Sequence, residues 1–272
     1  MSEHSRGAER FDRHMGSSSG ASPQRTVAST IFEELNDMTS ETGSQRLSGS
    51  TRADSISAKS FHSSGSLKVS QSLRAGTVEF SGSASIGEDL WSRELKVSGS
   101  IRVGGRLVAG TAHASGSIST EGGLWVRDRL DVSGSLEAPT VEALQTFVLS
   151  GRLEAKKVTG GILRWQGGGK VEDVIAGSFN INFDPGRRKG ILARGSLFHS
   201  STGLHIDRLV ARESVLVDRC SIGLLRGSVV RIGPSAQVRR VEFTESCEIA
   251  PGGVSVEPPV RVTGTPPNDR RG

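Results

Sequence analysis

The chain has 272 residues, with 34 Lys and Arg against 29 Asp and Glu, a formal charge of +5. It holds 35 Gly, no Tyr and only 4% aromatic residues, which argues against a helical globular domain and suits a narrow core of Leu, Val, Ile and Ala. No apolar run approaches 18 residues, and the start, Met1-Ser2-Glu3-His4-Ser5, lacks the apolar region of a secretory leader. The expectation is a soluble, cytoplasmic protein.

Residues 1–47 are rich in Ser, Gly and Arg and read as a disordered tail. One piece stands out, Ser29 to Met38. Ile31, Leu35 and Met38 share a helical face, Thr30 or Ser29 can cap it, and Glu33 and Glu34 sit in its first turn. This is the pattern of a short docking helix for a partner or a membrane, or of a transient helix with neither. The acids disfavour an anionic bilayer.

The stretch from 48 to 152 repeats Ser-Gly-Ser. The glycines are Gly49, Gly65, Gly82, Gly99, Gly116, Gly134 and, in a degenerate copy, Gly151, at intervals of 16, 17, 17, 17, 18 and 17. Each copy carries three apolar pairs. After Gly65 these are Leu67 and Val69, Leu73 and Ala75, Val78 and Phe80. A spacing of two marks one face of a strand. Three short strands in 17 residues make one turn of a three-sided parallel β-helix, with turns stacked at about 4.8 Å. The glycine supplies a corner of positive φ, and the flanking serines can hydrogen-bond the bent backbone locally. A flexible linker does not account for phased apolar pairs.

The first copy, with Thr51, Ala53, Ile56, Ala58 and Phe61, is polar enough to be a capping turn. The turn after Gly116 has one extra residue before Leu130, and the turn after Gly134 carries Pro139 and shifts its middle pair to Val141 and Leu144. The register loosens over 166–203, where Arg187, Arg188 and Lys189 form a basic turn, either a solvated tip or a contact for phosphate or an acidic partner. It resumes at Leu204. The expected organisation is a β-helix over 48–262, as one rod of about twelve turns or two stacked halves, and a disordered Pro-rich tail over 263–272.

The composite resembles the bactofilin family of polymer-forming cytoskeletal proteins over roughly residues 50–262. It rests on the Gly-Ser-apolar-x-apolar turns, the low-complexity start and the Pro-rich end. The stretch Val229-Val230-Arg231-Ile232-Gly233-Pro234, followed by Val238-Arg239-Arg240-Val241-Glu242-Phe243, adds to it. The resemblance implies a right-handed β-helix that assembles end to end into filaments without nucleotide. Such filaments scaffold cell-shape, wall-synthesis or motility machinery. It implies as partners the chain itself or a paralogous bactofilin, and membrane-associated or cell-wall machinery reached through the tails, at the inner face of the membrane. This chain is longer than a typical single-domain member and lacks the short apolar start of many.

Physics points the same way, because open β-edges are templates for another chain. Candidate polymer contacts are Ile56 and Phe61 at one end and Phe243, Ile249, Val254 and Val256 at the other. A non-polymerising β-helical adaptor is the rival reading. Trp91, Val108 and Trp125 face outward on three consecutive turns and form an apolar stripe: a lateral contact, local stacking, or a surface covered by the N-terminal tail.

Catalytic chemistry is not expected. The acids are scattered, and outward pairs such as Glu79 and Lys96 read as solvated charges across turns. The six histidines, His4, His14, His62, His113, His199 and His205, have no metal-ligand spacing, and Gly167-Gly168-Gly169-Lys170 lacks the rest of a phosphate loop. No cofactor, metal, small-molecule substrate or specific nucleic acid is expected, although a pI near 9.7 permits nonspecific attraction to phosphate. Cys220 and Cys247 read as buried fillers in a reducing compartment.

Overall fold

A computed structural model describes residues 31–33, 35, 43–181 and 203–264. Apart from the helical residues 31–33 and 35, its regular structure is parallel β-sheet wound into a solenoid of about twelve turns with about 17 residues per turn.

The strands run in chain order from β1 (Ser44–Ala53), β2 (Ile56–Val69), β3 (Leu73–Ile86) and β4 (Leu90–Val103) to β5 (Arg106–Thr120) and β6 (Gly123–Glu137). The long β7 (Thr140–Ile181) covers more than two turns, and β8 (Leu204–Ala211), β9 (Ser214–Val217), β10 (Cys220–Ile232) and β11 (Gln237–Ile249) follow. Two short strands, β12 (Val254–Ser255) and β13 (Val260–Arg261), end the rod. All belong to one sheet, and every pairing is parallel.

The apolar pairs point inward as their spacing predicts. Leu67, Val69, Leu73, Ala75, Val78 and Phe80 are all buried, as are Ile101, Val103, Leu107, Ala109, Ala112 and Ala114 two turns on. Register stacks like on like: Leu73, Leu90, Leu107 and Leu124 form one inward column. Where volume is short, neighbours compensate, with Ala112 between Leu95 and Leu130. Each buried aliphatic side chain is worth about 1.5–3 kcal/mol, so the core is a sum of similar small contributions along the rod. Ser92 takes an inward place between Ala75 and Ala109, where its hydroxyl donates to the carbonyl of Glu94 at 2.6 Å.

The repeated glycines form a column of their own. Gly49 through Gly151 are in register, and φ runs from 76° at Gly49 to 144° at Gly151. A Cβ at Gly65 would stand 2.5 Å from the carbonyl oxygen of Gly49, and one at Gly82 through Gly167 would come closer still to the turn below. The corner therefore excludes side chains twice, by backbone conformation and by the closeness of the next turn. Of the flanking serines, Ser135 bonds across turns, its Oγ donating to Ser117 Oγ at 2.9 Å.

Most strand breaks fall at another corner. There Gly104 N donates to Ile86 O at 2.9 Å and Gly122 N to Gly105 O at 2.9 Å, so the ladder continues through the turns. The extra residue before Leu130 is a bulge: register slips from 17 to 18 where Gly110 faces Arg127 and Asp128. Pro139 does not rebuild the next turn. Val141 and Ala143 keep the inward positions below Leu124 and Val126, and Leu144, expected inside, is 44% exposed.

Residues 166–181 are regular strand, contrary to the loosened register expected there. The basic residues Arg187, Arg188 and Lys189 lie outside the described residues. Across that segment, Gly169–Ala176 pairs with Leu204–Ala211 and Phe179–Ile181 with Val215–Val217, so the described strands before and after it belong to one solenoid. At the start, β1 begins at Ser44, inside the tail expected to reach residue 47.

Substituting Gly99→Ala puts a Cβ against the Gly82 backbone as well as at a φ of 133°. It should cost about 3 kcal/mol or more. Gly49→Ala meets open space and should cost only the ~1–2 kcal/mol of its left-handed backbone. Denaturant midpoints compare the two, and equal losses would show that close stacking is not what selects glycine.

Candidate functional site

Two surfaces emerge from the stacking: one side of the rod and its two ends. On the side, Arg74, Trp91, Val108, Trp125 and Glu142 occupy successive outward positions of one column. The stripe expected to be exposed is covered. Trp91 is 1% exposed and Val108 fully buried, because the helical residues Ile31, Phe32 and Leu35 pack on them, with Trp125 partly buried alongside. Ile31 and Leu35 are the expected docking face. Phe32 joins them unexpectedly, and Met38 lies outside the described residues. Of the readings open for Trp91, Val108 and Trp125, the geometry matches cover by the N-terminal tail.

Charged groups frame this contact. The guanidinium carbons of Arg74 and Arg106 each lie 5.4 Å from the centre of the Trp91 ring, within cation–π range. Arg106 is held in turn by Asp89, through Nη2 at 2.7 Å, Nε at 3.1 Å and the backbone N–H at 2.7 Å. Burial alone would push the Asp89 carboxyl up, but the Arg106 hydrogen bonds and charge outweigh it and hold the group below the usual carboxylate range. The Trp91 indole N–H is near enough to add a small pull on Asp89, yet it makes no hydrogen bond. At the other end of the stripe, burial raises the Glu142 carboxyl, against the opposing pull of Lys157 and Trp125.

The ends differ from each other. At the N-terminal end β1 pairs with β2 along one edge and has no described strand on the other. Its residues are mostly polar and exposed, with Leu47 and Ala53 half-buried on the core. Ile56 and Phe61, expected to be end contacts, are buried at 5% and 1%. Phe61 lies under Gln45 of β1 and packs edge-on against Phe80 with ring centres 5.9 Å apart. They belong to the core, because β1 begins early enough to roof part of β2.

At the C-terminal end Ile249, Val254 and Val256 are exposed at 37%, 44% and 70%, and Val260, which the sequence reading missed, at 46%. Phe243 is half-buried against the core rather than presented to solvent. Ile249, Val254 and Val256 are thus exposed at this end, as the sequence placed them. The open edge of β1 was missed because Ser44-Gln45-Arg46 carries no apolar alternation.

The remaining surface offers little chemistry. A shallow groove runs along the glycine corner over Ser83, Ser100, Ser117 and Ser135, and its Arg152 is already paired with Glu154. His62, His113 and His205 each face one carboxylate, Glu79, Asp131 and Asp207, at 3.0–3.2 Å. His4, His14 and His199 lie outside the described residues. Lys96 bonds Glu94 at 2.7 Å rather than the Glu79 beside it. No cluster of three His, Cys, Asp or Glu could hold a metal among the described residues. Both cysteines are free, and burial followed by the charge of Asp218 pushes the Cys220 thiol up to about 12. No described helix is long and apolar enough to cross a membrane.

No family model, curated protein or solved structure matches the chain.

Leu35→Asp should release the helix without unfolding the rod, since Leu35 packs outside the main core. The expected result is red-shifted tryptophan emission and faster proteolysis near residue 35 with little change in the main unfolding transition. A lost main transition would mean that the helix is part of the core. Asp89 supplies stability that is present above its unfolded value near ~4 and is lost as pH falls through its depressed native value. Asp89→Asn should thus be less stable at pH 7, and the difference from the parent should shrink on acidification, as urea titrations at several pH values would show.

Proposed function

We propose that this chain is a self-assembling structural scaffold, a bacterial cytoskeletal element of the bactofilin kind, which joins end to end without nucleotide and organises machinery for cell shape, wall synthesis or motility. The observation that carries the reading is a solenoid with two ends that no described element roofs. β1 offers a ten-residue strand with one free edge, and the other end exposes Ile249, Val254, Val256 and Val260 among the described residues. Unpaired edges and exposed apolar side chains both favour association with another chain. The two ends are unlike surfaces, and a contact between unlike surfaces propagates wherever the rotation between successive copies does not close a ring.

The rest of the surface supports a mechanical role. His62, His113 and His205 and many of its carboxylates are engaged in pairs across or along turns, and the grooves along the described residues are shallow. The partners on this reading are further copies of the chain or a paralogous β-helix. Membrane-associated or wall machinery would be reached through the segments outside the solenoid, at the inner face of the membrane.

A second reading, a non-polymerising adaptor, is favoured by one feature. β12 and β13 are two residues each and are interrupted by Pro258 and Pro259, the way natural sheets blunt an edge.

Electron microscopy of the full chain, without nucleotide and across salt and concentration, separates the two. Filaments or ribbons a few nanometres wide are expected. Monomers or small closed oligomers under all conditions would leave the adaptor reading.

A further inference from the structure

We infer that the stripe of Trp91, Val108 and Trp125 is a docking site for an acidic amphipathic helix of a partner protein, and that the chain's own helical residues Ile31, Phe32 and Leu35 are a resident occupant which that partner displaces. The inference concerns the side of the solenoid alone and stands whether or not copies join at their ends.

The coil does not call for aromatic residues on its outside. Its stability comes from the inward columns and the backbone ladder, and the column of the stripe is polar on either side, with Ser57 and Arg74 before it and Glu142 after it. Three large apolar residues on successive turns make a receptor for apolar side chains. Ile31, Phe32 and Leu35 form a cluster with them that is separate from the main core. The helix can therefore leave without opening the solenoid, and so short a helix owes its order to the surface beneath it. The resident fit is also incomplete: Trp91 is covered, yet its indole N–H is buried without an acceptor. An unpaired buried donor weakens a contact. A ligand that offers an acceptor there binds more tightly than the resident.

The frame of the site sets the charge of the ligand. At the Trp91 end, Arg74 and Arg106 lie over the indole, and Lys59 and Arg93 flank Gly76 in the next outward column. The acids at this end are Asp89, bonded to Arg106, and Glu88, which accepts from Ser72 Oγ at 3.0 Å. At the Trp125 end Arg127 pairs with Asp128, and Glu142 feels Lys157. The balance is positive, most strongly near Trp91. The resident matches it. Between Arg25 and Arg46 the sequence carries Glu33, Glu34, Asp37 and Glu41 and no Lys or Arg, in a chain of net charge +5. The ligand that fits therefore has apolar residues at the spacing of Ile31, Phe32 and Leu35 with acids around them.

A second copy is the poorer occupant. Its helix is tied to its own rod by the seven residues 36–42, which lead to Gly43, whose carbonyl accepts from the Lys59 N–H at 2.9 Å. To reach a neighbour's stripe it would have to bring two arginine-lined sides together. A helix on another protein has neither constraint. The same tether holds the resident at a local concentration on the order of millimolar, so the partner competes with it for the site.

The probe is a synthetic helical peptide with apolar residues at the spacing of Ile31, Phe32 and Leu35, acids between and around them, and a sequence otherwise unlike this chain. Its anisotropy is followed as full-length protein is added. Saturable binding to the Leu35→Asp chain is expected, with binding to the parent about tenfold weaker because the resident competes. Replacing the acids of the peptide with lysine should weaken binding about tenfold, and Arg74→Glu in the chain should act in the same direction. Adding Trp125→Ser to Leu35→Asp should abolish binding while the main unfolding transition stays in place. In the parent, saturating peptide should speed proteolysis near residue 35. No saturable binding to folded Leu35→Asp chain, equal binding to it and to the parent, or indifference to the acids of the peptide would overturn the inference. A second arm mixes the full-length Leu35→Asp chain, which keeps the stripe, with a full-length Trp91→Ser, Trp125→Ser chain, which keeps the helix. No association beyond that of the Leu35→Asp chain with itself is expected. Association as tight as that of the peptide would make a second copy the occupant and overturn the assignment to a partner.

Discussion

Everything in this molecule depends on one constraint: each turn must lie within a strand spacing of the next on all three sides. The backbone ladder enforces that distance, and the glycine column is where it is tightest. With a side chain at Gly99 or Gly116, two turns would have to separate at one corner, and the hydrogen bonds and apolar stacking on either side would weaken with it. The period of 17 residues is the length of chain that closes one such turn. Departures from it are absorbed locally, by a bulge opposite Gly110 and by a register shift between Gly227 and Val229, without a break in the parallel pairing.

Strict stacking converts sequence position into surface pattern. A residue meets its counterpart one period away, so outward side chains form columns with properties of their own. The Trp91 column shows this most clearly. Three large apolar residues on successive turns build a surface no single turn could offer, and a short amphipathic segment from far upstream fills it. Isolated helices of that length are marginal in water, so the segment's order depends on the stripe as much as the stripe's burial depends on the segment. Arg74 and Arg106 beside the indole, with Asp89 holding Arg106, border the contact with charges that are themselves satisfied.

Side and ends therefore have different status. The side is occupied by the chain's own residues, which removes it as the principal surface for association. The ends are where the repeating pattern stops with its periodic interactions unfinished: a polar strand edge at one, exposed valines and an isoleucine at the other. Unfinished strand edges and exposed apolar side chains both favour a further chain, and this is the physical content of the scaffold proposal. The short, Pro-bounded β12 and β13 limit how much backbone pairing the C-terminal end can offer, leaving side chains to carry more of the contact.

The architecture was legible in the chain because its determinants are local. Alternation of period two sets inward against outward, a recurrent glycine marks the corner, and the repeat length names the coil. Residues such as Leu67, Leu73 and Val78 could thus be placed inside without coordinates. Leu144 misled because its neighbours Val141 and Ala143 kept the regular alternation across Pro139. The fate of the outer surface was not legible. Trp91 and Trp125 could be seen to stack, but what covers them is decided by where a segment some sixty residues upstream comes to rest. Phe61 and Phe243 could be placed near the ends, but their burial depends on whether polar Ser44-Gln45-Arg46 forms a strand over one and how the last short strands lie against the other. Local spacing determined which way each side chain points; only the tertiary structure decided which of the outward and terminal ones meet water, because that depends on contacts between segments with no periodic relation to each other.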